Sequence, residues 1–150
     1  MKNITIKSFN QLTTNELYDI LTLRVNIFVV EQTCPYPELD GLDTLAGTRH
    51  LSILKNDELI AYARCIAPGD SYPSSAAIGR VVVAESARGA GVAKKLMREA
   101  IACCKSEWPE VAIEISAQCY LTDFYQSLGF SVEGESYLED GIPHIHMKLD

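Results

Sequence analysis

The sequence predicts an α/β domain of mixed α+β type, in which helices flank a layered sheet. Three observations predict this fold. The chain has 150 residues of which 47% are apolar, it contains no repeat or linker, and strand-like segments outnumber helix-like ones. Their order is a strand and a helix, a run of strands, a second helix with another strand, and two final strands. This order differs from a regular βαβ series, so we expect one mixed sheet within a single domain, residues 1–150.

The first predicted elements are a strand over residues 3–9 and the helix after it. Ile4 and Ile6 alternate with polar residues, and Thr13 can cap the helix. Arg24 lies within the apolar face of this helix, which also contains Leu17, Ile20, Leu21, Ile27 and Phe28. Because a charge on an apolar face needs a partner or borders a cleft, Arg24 forms either a partly buried ion pair or part of a site.

The middle of the chain predicts a loop and a strand pair. Residues 33–48 are rich in acids and contain two prolines and two glycines, which indicates a loop or a broken second helix. Strands are expected at residues 51–54 and 59–66. They are joined at Asn56 and Asp57, residue types that favour a turn.

The most informative segment is Arg88-Gly89-Ala90-Gly91-Val92-Ala93, between an apolar strand at Ala76–Val83 and an amphipathic helix. Glycines let the backbone approach a ligand closely, and a helix N-terminus presents unpaired N–H groups and a positive dipole end. A Walker A loop is excluded because Val92 follows Gly91, and a dinucleotide fingerprint lacks its third glycine, since Lys94 stands there. The segment therefore predicts a different phosphate or pyrophosphate site, with a ligand-free turn as the alternative.

The last third of the chain predicts a strand, a short helix and two final strands. The strand is expected at residues 111–117, and Gly129 suits the position after the helix C-terminus. Phe130 then packs back on the last helical turn in the expected Schellman geometry. The final strands are expected near residues 131–135 and 144–149.

Composition excludes several classes of protein. With 13 basic and 20 acidic residues the net charge is −7, which argues against a general nucleic-acid binder. No stretch approaches the roughly 20 apolar residues of a membrane span, so no membrane partner is expected. The five cysteines form no C-x-x-C pair, which predicts reduced thiols in a cytoplasmic protein with no metal site.

Two motifs together resemble those of the Gcn5-related N-acetyltransferase (GNAT) family. Arg88-x-x-Gly91-x-Ala93, following Val81-x-Val83, resembles the family's motif A. Phe124-Tyr125-Gln126-Ser127-Leu128-Gly129-Phe130 resembles its FYxxLGF element. Three further segments resemble the ElaA-like branch of the family: Phe28-Val29-Val30-Glu31-Gln32, Cys34-Pro35-Tyr36-Pro37-Glu38-Leu39-Asp40-Gly41 and Asp140-Gly141-Ile142-Pro143-His144-Ile145.

The resemblance implies a mostly antiparallel sheet that splays between its fourth and fifth strands, and acetyl-CoA as the acyl donor. The pyrophosphate would bind the amides of residues 88–93, and the pantetheine arm would pair with the backbone at Val81 and Val83. The N–H of Val83 would polarise the thioester carbonyl. The residues that the resemblance implies at the CoA site are Val81, Val82, Val83, Arg88, Gly89, Ala90, Gly91, Val92, Ala93 and Gln118.

The resemblance also implies a direct attack by an amine. Tyr125 matches the tyrosine that protonates the leaving thiolate, and a phenol is protonated near pH 7. The alternative is a core aromatic residue. The general base stays open, because Ala76–Val83 contains no acid where many relatives have a Glu. The candidates are an ordered water, Glu31, His144, Asp40, Asp43 and Glu114.

The acceptor side is predicted from the first helix and the acidic loop. We expect Arg24, Phe28 and Glu31 to face the acceptor, a primary amine of a small molecule or peptide. The acids at residues 38–43 suggest a cationic amine, without choosing one. An exposed last strand would allow two copies to pair as a homodimer.

Two other functions compete with this prediction. The N-terminal third also resembles acyl-homoserine-lactone synthases, at Arg24, Phe28, Asp40, Asp43, Arg64 and Arg80, although the nearby Glu of that family is absent. A second alternative is a non-catalytic domain that binds CoA as a sensor, because the common Glu on the fourth strand is missing.

Overall fold

A computed structural model of the protein, which describes residues 2–150, contains a single seven-stranded sheet. The strands are β1 (Lys2–Lys7), β2 (Arg49–Lys55), β3 (Glu58–Ile66), β4 (Ala76–Val83), β5 (Ile113–Gln118), β6 (Ser131–Glu139) and β7 (Ile142–Leu149). Their order across the sheet is β1-β2-β3-β4-β5-β7-β6, and every neighbouring pair is antiparallel except β4 with β5. The predicted mixed, mostly antiparallel sheet is confirmed.

Three α-helices flank the sheet: α1 (Thr14–Arg24), α2 (Val92–Glu107) and α3 (Thr122–Ser127). The Thr13 hydroxyl accepts from the N–H of Glu16 at 3.0 Å, and the Glu16 carboxylate accepts from the N–H of Thr13 at 2.8 Å. This reciprocal pair fixes the start of α1. The chain then continues from α1 as a π-helix at Val25–Glu31, which the sequence did not predict.

The two long helices cover opposite faces of the sheet. On β3, Ala61, Ala63 and Cys65 point into the core beneath α2, whereas Tyr62 packs with Ile20 of α1. This alternation follows from the two-residue period of a strand, and it makes β3 a central, buried strand. Residues 33–48 form turns and bends without a helix, so the expectation of a loop there is the correct one.

β4 separates from β5 after only two paired positions. Ala76 pairs with Ile113 and Ala77 with Glu114, and the two strands then diverge. On its other side β4 carries a bulge, because Tyr62 of β3 opposes Val82 whereas Arg64 opposes Gly79. The splay leaves one edge of β4 open to a ligand.

The end of α3 has the predicted Schellman geometry. The N–H of Gly129 donates to Gln126 O at 3.0 Å, and the N–H of Phe130 donates to Tyr125 O at 3.2 Å. Gly129 has a φ of +103°, and the rings of Phe130 and Tyr125 lie 6.1 Å apart. The closing hairpin, in contrast, is longer than predicted, because β6 and β7 extend to a tight turn at residues 140–141.

Residues 2–150 contain neither a membrane-spanning helix nor a cluster of metal-binding side chains. No helix there is long and apolar enough to cross a membrane. The same described residues contain no group of three or more His, Cys, Asp or Glu side chains placed to hold a metal ion. All five cysteines are free thiols.

Candidate active site

The splay between β4 and β5 opens into a cavity of about 740 Å³. Its walls come from β4, the start of α2, β5, α3, the π-helix and the β6–β7 turn. Fourteen of the residues predicted for the CoA site, the catalytic groups or the acceptor side line it: Phe28, Glu31, Asp40, Val81, Val82, Val83, Arg88, Gly89, Gly91, Val92, Ala93, Gln118, Tyr125 and His144. Arg24 is absent from this lining, and Ala90 borders a neighbouring shallow depression.

The segment at residues 88–93, predicted to be an anion cradle, forms a glycine turn at the start of α2. Gly89 and Gly91 have φ values of +86° and +75°, a backbone conformation that other residues rarely adopt. Gly91 caps α2 without a side-chain hydrogen bond, and the first helical turn contains no acid. The first N–H groups of the helix therefore face the cavity mouth without a side-chain cap, as binding of an anion requires.

The open edge of β4 presents main-chain groups to the cavity. The N–H of Ala84 donates to Ile60 O of β3 at 2.8 Å, so by alternation Val82 also faces β3 and Val83 faces the opening. A second observation agrees, because Val83 O accepts a hydrogen bond from Arg88 Nε at 3.1 Å. The main-chain groups of Val83 thus lie at the edge where β5 has moved away, and its carbonyl is engaged by Arg88.

Arg88 also pairs with Glu31 across the cavity mouth. Its Nη1 lies 3.0 Å from Glu31 Oε2, and its Nη2 donates to Glu31 Oε1 at 3.1 Å. Both side chains are about two-fifths exposed, so the pair is partly screened by water. The structure therefore brings Glu31 to the cavity, but engaged with the cradle arginine.

Tyr125 projects from α3 into the cavity and is only 7% exposed. Its ring makes edge-to-face contacts with Phe124 and Phe130. Burial disfavours the phenolate and, together with the nearby Tyr120, raises the pKa of Tyr125 to about 12. The hydroxyl is therefore protonated at neutral pH and able to donate a proton.

His144 lies on β7, directly opposite Gln118 of β5, and is 7% exposed. Its Nδ1 is 2.7 Å from Ile142 O. Because a carbonyl only accepts, Nδ1 carries the proton of the neutral ring and Nε2 carries the lone pair. Nε2 lies 3.5 Å from Glu139 Oε2, and the Tyr137 ring stacks on the imidazole. This arrangement suits a proton acceptor.

Arg24 does not line the acceptor side as expected, and the ion-pair interpretation is the correct one. The residue is fully buried, with its Nε 2.7 Å from Glu38 Oε2 and its Nη1 2.7 Å from Asp43 Oδ1. Burial alone would lower the pKa of the Arg24 guanidinium, but the hydrogen bond with Asp43 and the charges around it raise this pKa overall. Arg24 holds the acidic loop against α1.

Two of the remaining base candidates are also held by arginines. Asp40 accepts from Arg64 Nη1 at 2.9 Å, and Asp43 accepts from the same nitrogen at 3.1 Å. Burial would raise the pKa of Asp40, but the hydrogen bond with Arg64 and further charges lower it to about 2. Glu114 pairs with His146 at 2.6 Å and does not line the cavity.

These ion pairs close into a ring that the sequence did not reveal. Glu38 Oε2 contacts Arg24 Nε at 2.7 Å and Arg80 Nε at 2.8 Å, and Asp40 Oδ2 lies 3.4 Å from Arg80 Nη2. The charge ring, as we call it, consists of Arg24, Glu38, Arg80, Asp40, Arg64 and Asp43. Its three positive and three negative charges cancel. The sequence singled out five of these residues, all except Glu38, through the resemblance to acyl-homoserine-lactone synthases, but it did not specify which residues pair.

Comparison with known proteins shows to which family the chain belongs. Residues 41–150 match the family model described as an acetyltransferase (GNAT) domain. Protein ElaA of Escherichia coli K12 is 45% identical over 138 residues, which cover 92% of this chain and 90% of ElaA. The chain belongs to the GNAT acetyltransferase family. Its activity class is accordingly acyl transfer, and the resemblance to the ElaA-like branch is confirmed.

Solved structures support the same assignment of this GNAT protein. An acyl-CoA N-acyltransferase from Pseudomonas aeruginosa superimposes with a TM-score of 0.96 at 41% identity, and E. coli ElaA superimposes with 0.94 at 41%. Each match covers 100% of both chains. A CoA-dependent acyl-homoserine lactone synthase matches with a TM-score of 0.81 at 19% identity, over 100% of this chain and 83% of the other. The resemblance to that enzyme therefore shows a shared fold alone.

Proposed function

We propose that this GNAT protein transfers the acetyl group of acetyl-CoA to a primary amine of a small molecule or peptide by direct attack. The observation that carries this proposal is the continuity of one cavity. It begins at the cradle of residues 88–93, follows the open edge of β4, and reaches both Tyr125 and His144. A donor bound along this cavity has its pyrophosphate at the cradle and its thioester near Tyr125 and His144.

The donor binds through main-chain groups. The uncapped N–H groups at the start of α2 receive the pyrophosphate, and the helix dipole favours its negative charge. The pantetheine amides pair with the edge of β4 at Val81 and Val83, as a strand would. Arg88, whose Nε donates to Val83 O at 3.1 Å, lies within the cradle and supplies a cationic contact for the pyrophosphate.

The reaction moves the acetyl group in one displacement. The lone pair of the neutral amine attacks the thioester carbon, and the carbonyl oxygen takes up negative charge that the N–H of Val83 stabilises. The carbon–sulfur bond then breaks as the carbonyl re-forms. Tyr125 gives its proton to the departing thiolate, while the new amide nitrogen loses one proton to the base. The products are the N-acetylated amine and CoA thiol.

His144 is the base that the geometry favours. Its tautomer leaves Nε2 unprotonated in the neutral ring, and the Glu139 carboxylate 3.5 Å away stabilises the imidazolium that forms. Glu31 and Asp40 are the other candidates on the cavity wall, but their carboxylates are occupied by Arg88 and Arg64. Phe28 forms part of the acceptor wall beside it.

The proposal also includes a cytoplasmic location and assembly as a homodimer. Five free thiols support a reducing, cytoplasmic setting, where acetyl-CoA is available. The last strand, β7, is paired with both β5 and β6, so the expectation that it forms an exposed edge is wrong. The edge strand is β6, and all nine of its residues are exposed, which supports a homodimer formed by pairing of two such edges. Sedimentation of the purified chain across a concentration series tests this assembly.

The decisive experiment is a turnover assay with a panel of amines. The protein is incubated with acetyl-CoA and, separately, an alkyl diamine, a polyamine, an amino sugar, free amino acids and a short peptide. We expect thiol release with at least one amine, and a product heavier by one acetyl group in mass spectrometry. CoA binding without thiol release for the whole panel would favour the sensor alternative. Formation of an acylated lactone from S-adenosylmethionine and longer acyl-CoA donors, with loss of methylthioadenosine, would favour the homoserine-lactone alternative.

A further inference from the structure

Arg80 has an unusual backbone conformation at the centre of the site. It is in the middle of β4 and has a φ of +50°, in the left-handed region that residues with a Cβ rarely adopt. The conformation coincides with the bulge, where Arg80 and Val81 together oppose the single β3 residue Ala63. Such a residue persists only where its surroundings hold it, because the backbone strain has to be offset.

The side chain of Arg80 is held by the charge ring. Its Nε donates to Glu38 Oε2 at 2.8 Å, and its Nη2 lies 3.4 Å from both Glu38 O and Asp40 Oδ2. Glu38 is only 4% exposed, and its second carboxylate oxygen accepts from Tyr36 OH at 2.9 Å. These contacts fix the Arg80 guanidinium on a carboxylate that cannot easily move.

The bulge directly precedes the open edge of β4. Gly79, Arg80, Val81, Val82 and Val83 all line the cavity. A bulge sets the direction of the following residues, because one extra residue exchanges the two faces and edges of a strand. The conformation at Arg80 therefore determines whether the main-chain groups at Val83 face the cavity or β3.

We infer that Arg80 is a positioning residue for acyl transfer: the charge ring holds its left-handed backbone, and this backbone aims the edge of β4 at the thioester. The inference rests on the proposed function, since it concerns the donor at that edge. Arg80 acts through the main chain of the residues after it, and it transfers no proton. Glu38 and Asp40 contribute by holding the Arg80 side chain in place.

Substitution of Arg80 by glycine or by alanine distinguishes an effect of the backbone conformation from an effect of lost side-chain packing. Both Arg80→Gly and Arg80→Ala remove the side chain, and in both Glu38 keeps Arg24 and Asp40 keeps Arg64. Glycine adopts a positive φ readily, whereas alanine does not. With the best amine of the panel we expect kcat to fall at least about tenfold in Arg80→Ala, and within about threefold of wild type in Arg80→Gly, as misplacement of a reacting group costs rate.

Glu110 supplies a matched control pair. It is exposed, has a φ of +71°, and lies between α2 and β5 away from the cavity. Glu110→Gly and Glu110→Ala are expected to have equal kcat values, even where their thermal stabilities differ. If Arg80→Gly is no more active than Arg80→Ala, the inference is overturned, because the side chain then matters for packing or charge and not for the backbone.

A spectroscopic measurement separates this inference from the proposed function. The probe is acetyl-carba(dethia)-CoA labelled with ¹³C at its carbonyl, in which a methylene replaces the thioester sulfur. We expect its carbonyl resonance to shift downfield on binding wild type, and to shift less in Arg80→Ala, with the dissociation constant changed by less than about threefold because the cradle is intact. Absence of binding or shift in wild type would refute the proposed donor site. Equal shifts in wild type and Arg80→Ala would refute only the inference.

Glu38→Gln tests the same role with Arg80 in place. It keeps the shape of the side chain but removes the charge that both arginines share. We expect a reduced kcat and a reduced carbonyl shift, with CoA affinity unchanged. Wild-type values for both quantities in folded Glu38→Gln protein would overturn the inference, and this variant decides the matter if the Arg80 variants fail to fold.

Discussion

Arg88 and Glu31 form a two-pronged ion pair across the mouth of the cavity, with nitrogen–oxygen distances of 3.0 and 3.1 Å. The same arginine belongs to the cradle, where the proposed donor places its pyrophosphate. The carboxylate of Glu31 therefore competes with the donor for Arg88.

Removing the charge of Glu31 is predicted to tighten CoA binding. Glu31→Gln frees the Arg88 guanidinium and removes a negative charge near the pyrophosphate. Because exposed ion pairs are typically worth 0.2–1 kcal/mol, we expect the dissociation constant to fall about two- to fivefold in calorimetry. Glu135→Gln, the same change on exposed β6, is the control and is expected to bind as wild type does. A large loss of kcat with unchanged affinity would instead identify Glu31 as the base.

Tyr125→Phe is predicted to slow turnover without weakening CoA binding. The substitution keeps the aromatic contacts with Phe124 and Phe130 but removes the proton donor. We expect kcat to fall about 100-fold, a usual contribution of general acid catalysis, at constant dissociation constant. Tyr18→Phe, on an exposed position of α1, serves as the control. Wild-type turnover in Tyr125→Phe would assign protonation of the thiolate to another group.

Gly91→Glu is predicted to abolish tight CoA binding. A side chain at a φ of +75° strains the turn, and its carboxylate repels the pyrophosphate at the helix N-terminus. We expect the dissociation constant to rise at least about tenfold in calorimetry. Gly69→Glu is a matched control, because Gly69 has a φ of +92° in an exposed loop outside the cavity. Equal affinities of these two variants would contradict the cradle assignment.

Stability is predicted to decrease as the pH falls through the range where histidine titrates. His50 is buried between Asp43 O, 3.0 Å from Nε2, and the hydroxyl of Tyr62, 2.6 Å from Nδ1. Burial lowers the pKa of His50 despite the raising effect of the Asp43 carbonyl, and the charges of Arg24 and Arg64 lower it further. The unfolded chain then binds a proton near pH 6.5 that the folded chain excludes.

The free energy of unfolding should therefore be higher at pH 7.5 than at pH 5.5, as measured by urea denaturation at both values. His50→Gln cannot titrate, so its stability is expected to depend less on pH over this interval. The pH dependence of wild type and His50→Gln would be identical if His50 were not the group responsible.

Features formed by neighbours in the chain were predictable from the sequence. The Schellman end of α3 depends on Gly129 and on residues up to four positions before it, and the cradle depends on Gly89 and Gly91 at the start of one helix. The turn at Asn56 and Asp57 has the positive φ values that its residue types favour. In each case the geometry depends on a few consecutive residues.

Arg24 and Arg80 required the tertiary structure. The partners of Arg24 lie 14 and 19 residues further along the chain, and the pairing of Arg80 with Glu38 spans 42 residues. The helical spacing of apolar residues shows that Arg24 shares an apolar face, but it does not say whether that face meets a cleft or a carboxylate. The same limit applies to the β4 bulge, since strand register depends on the pairing of two separate strands.

The sequence by itself determined the order of the elements, the glycine turn before α2 and the resemblance to the family, because periodicity, glycine conformation and helix capping are local properties of the chain. Only the tertiary structure decided that Arg24 is buried in a charge ring, that Glu31 is paired with Arg88, and that Arg80 lies at a bulge of β4. The physical reason is that ion pairs and strand register join residues distant in sequence. Their partners are chosen when the loop of residues 33–48 packs against α1, β3 and β4.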